Sequence, residues 1–86
     1  MGELSKLLNI GEKVELQLNQ IGIFTYEELK AAGAENAWLK IQEIDSTACI
    51  HRLLALEGAI QGMKKTLLPE TRKAELKDFY NNHKIK

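Results

Sequence analysis

Apolar residues along this chain recur at spacings of three and four and nowhere alternate with polar ones for long, which predicts helices throughout and no strand. Leu4, Leu7 and Leu8 form the apolar edge of a first short helix, followed by a tight turn at Asn9-Ile10-Gly11. Glycine adopts the backbone angles of such a turn freely, and asparagine does so better than most residues. A second helix is expected from Glu12 to Ile21, with Val14, Leu18 and Ile21 on one side and Gly22 as its stop. Thr25 and Glu28 have the spacing of a capping box, opening a helix that runs to about Ala32, before Gly33. Ala34 to Gln42 carries Ala37, Trp38 and Ile41 on one side. Asp45 or Ser46 can cap a long helix reaching Gly62 or Met63, and Pro69 suits the first turn of a last helix through about Asn82. The expected fold is all-α: a compact bundle of five to six short helices with a helix-hairpin-helix-like N-terminal part and a central apolar helix.

The segment Thr47 to Met63 is the expected centre. On a helical wheel Cys49, Leu53, Leu56, Ile60 and Met63 form one stripe, which Ile50 and Leu54 widen. A separate face carries Ala55, Gly58, Ala59 and Gly62. Glycine inside a helix costs about 1 kcal/mol relative to alanine. Gly58 and Gly62 therefore predict the close approach of a neighbour, within the monomer first and across a dimer contact second. Arg52 and Glu57 interrupt the helix, so the membrane form of the small-residue rule does not apply.

Eighty-six residues make one domain, 1–86, large enough for a small core without staples. One cysteine cannot form an internal disulfide, and neither a signal-peptide pattern nor a membrane-length apolar run is present. The expected setting is the reducing cytoplasm, with no membrane contact. The formal net charge of zero hides an asymmetry. Residues 1–45 carry four basic against eight acidic residues, and residues 46–86 carry eight basic against four acidic. Non-specific affinity for a duplex comes mostly from lysine and arginine neutralising phosphates, so the hairpin half has the wrong sign for it.

Candidates for chemistry are few. Glu57 lies beside the apolar stripe, where a general base would need a raised pKa and a companion group. The simpler expectation is a carboxylate that accepts hydrogen bonds or pairs with a basic side chain, as burial requires. Cys49 and His51 point about 200° apart on a helix and cannot form a thiolate–imidazole pair; Cys49 is expected as a core thiol and His51 as an ordinary surface or packing histidine. His83 lies in a polar tail, and this set does not have zinc-site spacing. There is no P-loop, dinucleotide fingerprint or nucleophile elbow. No catalytic residue, metal, cofactor or small-molecule substrate is inferred. Trp38 and Tyr26 are expected in the core, with partner anchoring as the alternative.

The stretch Leu54-Ala55-Leu56-Glu57-Gly58-Ala59-Ile60-Gln61-Gly62 resembles the ALEGAI-x-G signature of the TfoX C-terminal domain family. Leu8-Asn9-Ile10-Gly11 and Ile21-Gly22-Ile23 resemble that family's LPNIG…GI opening, and Thr25 to Leu29 with Gly33-Ala34 fit its T-x-x-x-L…GA pattern. The resemblance spans about residues 4 to 80, departing at Leu8, where proline is frequent, and at Lys64-Lys65, where an aromatic is common. It implies a helical domain tied to regulation of bacterial natural competence, here read as standing without the family's separate N-terminal domain. Glu57, Gly58 and Gly62 are its structural signature.

Two roles follow, from different classes. One is a non-catalytic module that docks on a protein partner or on itself. The other is a DNA-binding module, using the hairpin amides around Asn9 and Gly11 with Lys6 and Lys13, or the basic last helix through Arg72, Lys73 and Lys77. Glu12 and Glu15 flank Lys13, and Glu70, Glu75 and Asp78 interleave the second set. Charge therefore puts protein interaction first.

Overall fold

The structure, a computed structural model, describes residues 4–84. Its helices are α1 (Glu12–Gln20), α2 (Tyr26–Ala32), α3 (Ala34–Ile44), α4 (Ile50–Gln61) and α5 (Glu70–His83). Single 3-10 turns stand at Leu4–Lys6 and Lys65–Leu67, and no strand occurs among the described residues. The all-α expectation holds.

Local sequence accounts for most boundaries. α1 ends in a Schellman stop: the Gly22 amide donates to Asn19 O at 3.1 Å and the Ile23 amide to Leu18 O at 2.8 Å. Leu18 and Ile23 are both buried, supplying the apolar contact that accompanies such stops. The capping box opening α2 is complete, with the Glu28 amide donating to Thr25 Oγ1 and the Thr25 amide to Glu28 Oε1, each at 3.1 Å. α2 and α3 are joined by Gly33 alone, at φ +84° and ψ 155°, a conformation closed to residues with a side chain.

α4 packs against α2, α3 and α5 and is the centre of the fold. Leu53 and Leu56 are fully buried within it, alongside Leu18, Leu29, Trp38, Ile41 and Leu76 from the other helices. Burying one such leucine contributes about 1.5–3 kcal/mol. Ala55, Gly58 and Ala59 are buried as well, so α4 is covered on most of its circumference.

Several expectations need correction. The first helix is only the 3-10 turn Leu4–Lys6; Asn9 turns left-handed at φ +72° and leaves Leu8 exposed. α4 begins at Ile50, not at Thr47, and neither Asp45 nor Ser46 caps it. The Asp45 carboxylate instead takes the Thr47 amide at 3.0 Å and the Thr47 hydroxyl, a local turn that competes with helix. Cys49 consequently stands at the N-cap position, half-buried rather than in the core, and Ile60 and Met63 are half-buried too. Gly62 is the left-handed stop of α4, at φ +72°, and a Cβ there would meet nothing within 4 Å. Close packing explains Gly58 alone.

Candidate functional site

Side chains with chemistry gather in three places. The first joins α3, α4 and α5. The Glu57 side chain, 8% exposed, accepts from Arg72 Nη2 at 3.0 Å. The same nitrogen reaches Glu35 at 3.0 Å, while Arg72 Nη1 reaches Glu75 at 3.3 Å. Gln61 Nε2 donates to the other Glu57 oxygen. Burial pushes the Glu57 carboxyl up, but hydrogen bonds from Arg72 and Gln61 and the Arg72 charge outweigh it and hold the group below its ordinary value. Hydrogen bonds to Glu57 and Glu35 hold the Arg72 guanidinium charged beyond its ordinary range. A general base needs the opposite shift, so the geometry is that of an ion pair fastening α5.

The second group joins α1, the α3–α4 turn and α4. Gln17, buried, donates to Asp45 Oδ2 at 2.8 Å, and Arg52 Nη1 donates to Gln17 Oε1 at 2.9 Å and to Asp45 Oδ2 at 3.1 Å. Hydrogen bonds from the Thr47 side chain, Gln17 and the Thr47 amide, with Arg52 adding to them against the cost of burial, hold the Asp45 carboxyl well below the usual carboxylate range. Sequence reasoning missed this group. Its available signal was Gln17, a polar residue next to Leu18 on a short helix, which had to find a partner if buried.

The third place is the hairpin. Asn9 Nδ2 donates to Met63 O at 3.0 Å, and the Lys65 amide donates to Asn9 Oδ1 at 3.3 Å. Both bonds pass over Gly58, where a Cβ would press on the Asn9 amide and lie 2.7 Å from Met63 O. Glycine in the middle of α4 is thus the condition for bringing hairpin and α4–α5 connection together. Glu15, buried in α1, turns inward and accepts from the Ser5 amide at 3.2 Å.

The named candidates fall into two sets. Asn9 and Arg72 have side chains engaged within the fold, and Lys73 Nζ bonds Thr66 O at 2.9 Å and pairs with Glu70 at 3.5 Å. Gly11, Lys6, Lys13 and Lys77 are exposed, and Lys77 lies apart from the hairpin on α5. Trp38 is fully buried, edge-on to Phe79 and Tyr80 at 6.2 and 5.4 Å between centroids, and Tyr26 donates its hydroxyl to Ile60 O at 2.6 Å. His51 is exposed, and His83 stacks on Phe79 at 4.1 Å. Among the described residues no three His, Cys, Asp or Glu side chains are grouped to hold a metal, and no helix is long and apolar enough to cross a membrane.

The family described as TfoX C-terminal domain matches residues 1–80. Protein Sxy of Escherichia coli strain K12 is 33% identical over 76 residues, which are 88% of this chain and 36% of that protein. The chain thus spans about a third of the length of that relative. Two crystal structures from Listeria monocytogenes, one titled an uncharacterized protein and the other a protein of unknown function, are each 47% identical to it. They superpose with TM-scores of 0.90 and 0.89, over 92% of this chain and 90% and 96% of theirs. The chain belongs to the TfoX C-terminal domain family.

Proposed function

We propose that the chain is a non-catalytic helical module that makes protein–protein contacts in regulation. The observation that carries this reading is the contrast between its buried polar groups and its exposed apolar ones. Glu57 pairs with Arg72 and Asp45 with Arg52, and both carboxyls are held below their ordinary values instead of being raised as a general base requires. Meanwhile Leu16 is 63% exposed and Phe24 56%. Exposed Glu12, Leu16 and Gln20 recur every four residues, so they mark the outer face of α1, with a large leucine at its middle. Phe24 follows in the next loop. Single exposed apolar residues are common, whereas a leucine and a phenylalanine on one short stretch form a docking feature of the kind partners cover.

The test is affinity capture with the purified chain beside a Leu16→Lys/Phe24→Lys variant, with sedimentation of both. Substitution at exposed positions changes stability by within about 0.5 kcal/mol, so the variant stays folded. The expected outcome is a defined protein, or a second copy of the chain, held by the parent and released by the variant. A parent chain that stays monomeric and captures nothing, or a partner held equally by both, defeats the reading.

A further inference from the structure

We infer that the face where the hairpin meets the α4–α5 connection binds the phosphate backbone of duplex nucleic acid through Lys6, Lys13, Lys64 and Lys65. The Asn9 side chain clasps Met63 O and the Lys65 amide, so two chain segments 54 to 56 residues apart lie side by side. One contributes Lys6 and Lys13, within four residues of Asn9; the other contributes Lys64 and Lys65 at the clasp itself. None of the four pairs with a carboxylate among the described residues, and Lys6, Lys13 and Lys64 are exposed.

The acidic balance of the first half does not reach this face intact. Glu15 is turned inward onto the Ser5 amide, Glu28 closes the α2 capping box, Glu35 lies on Arg72, and Asp45 lies on Arg52. Nearby, Glu12 stays exposed, and Glu70 is paired with Lys73. Folding thus brings the segment carrying Lys6 and Lys13 beside the one carrying Lys64 and Lys65, with none of the four paired to a carboxylate among the described residues.

The chemistry of the set selects its partner. Lysine is a point charge on a flexible stem, suited to phosphate and without the fork that recognises a single carboxylate. Charges spread over two segments match a repeating array, and a duplex presents one charge about every 1.7 Å. Residues 4–13 and 63–67 contain no aromatic side chain, so the face has no stacking platform for single strands. This inference is independent of the apolar docking reading, because it uses neither Leu16 nor Phe24.

The test is a fluorescence-anisotropy titration of the whole chain with a mixed-sequence duplex DNA of about 20 base pairs at several salt concentrations. Affinity should fall as salt rises, with a log–log slope of about −3 to −4 for four phosphates. Lys64→Glu/Lys65→Glu and, separately, Lys6→Glu/Lys13→Glu should each weaken binding tenfold or more. Lys30→Glu/Lys40→Glu changes the net charge equally on α2 and α3 and should leave affinity within about threefold. Lys64→Ala/Lys65→Ala, checked by circular dichroism, should flatten the slope by about 2, since each lost phosphate contact removes about 0.9. The inference is overturned if the chain does not bind duplex, if all three charge reversals weaken binding equally, or if poly-glutamate or anionic vesicles bind the face as tightly as duplex DNA.

Discussion

The hairpin and α5 are both fastened to the α4 region, by opposite means. The hairpin is held through the backbone of the α4–α5 connection: the Asn9 carboxamide bridges Met63 O and the Lys65 amide across a residue that must lack a side chain. α5 is held by side chains: Leu76 in the core, Phe79 and Tyr80 edge-on to Trp38, and Arg72 across Glu57 and Glu35. The first attachment responds to volume and is indifferent to charge. The second is a sum of replaceable contacts, one of which responds to pH. A short chain with one central helix can therefore have two faces governed by different physics.

The largest effect should come from Gly58→Ala. The added methyl meets Met63 O at 2.7 Å as well as the Asn9 amide, and a backbone carbonyl cannot step aside as a flexible side-chain end can. Overpacking of this kind costs about 1–3 kcal/mol, and the obstructing backbone puts this site near 3. Urea unfolding measures it. Adding Asn9→Gly should recover part of the loss, because that substitution removes one of the two obstructions; full additivity would show that Asn9 and Gly58 do not act on each other.

Arg72→Met should come next, at about 2 kcal/mol near neutral pH. Removing one partner of a buried pair costs about 3–5 kcal/mol, reduced here because the Arg72 side chain remains a quarter exposed and Glu57 keeps Gln61. The loss must depend on pH. Glu57 in the folded chain lies below its usual 4.5, so its stabilisation is complete above that value and disappears as pH falls through the lowered folded value. Asp45 contributes with the same sign, starting below its usual 3.8. The parent chain should thus lose stability on acidification, and the gap between it and Arg72→Met should narrow toward pH 3. A gap of constant size would assign the effect to the apolar stem of Arg72 instead of its charge.

These differences explain what was legible in the sequence. Thr25 with Glu28, the Gly22 stop and the Ala37-Trp38-Ile41 face depend on residues within a few positions of one another, and all three were readable. Gly58 announced a close neighbour without naming it, because Asn9 lies 49 positions away and no local rule joins the two. The start of α4 was misplaced because Asp45 could serve as a helix cap or as a turn acceptor. Gln17 from α1 and Arg52 from α4 decide that choice, both of them distant. Charge summed by halves was the least transferable reading. It ignores that Glu15, Glu35 and Asp45 are engaged with partners in the fold, that Glu28 closes a surface capping box, and that Asn9 of the hairpin clasps the Lys65 amide.

Asn9→Gly alone should cost about 1.5 kcal/mol, for two hydrogen bonds lost. The left-handed backbone at φ +72° is retained by glycine, so the loss isolates the two side-chain bonds to Met63 O and the Lys65 amide. Hydrogen exchange should show it as faster opening at residues 63–66, with α5 unaffected. Equal acceleration in both would mean that the two attachments are one cooperative unit.

The smallest effect belongs to the second glycine of the same helix. Gly62→Ala should cost about 1 kcal/mol, the penalty of a left-handed backbone for an ordinary residue. Its Cβ would stand in open space, so no packing cost is added to the conformational one. Gly62→Asn should cost less still, since asparagine tolerates that region better than alanine. At Gly58 the order must reverse: asparagine is larger than alanine, and the obstruction there is volume. Alanine and asparagine at each position, four thermal melts in all, therefore separate conformational need from close approach. Two glycines four residues apart in one signature would then be shown to serve the fold for unrelated reasons, and a matching order at both sites would collapse that distinction.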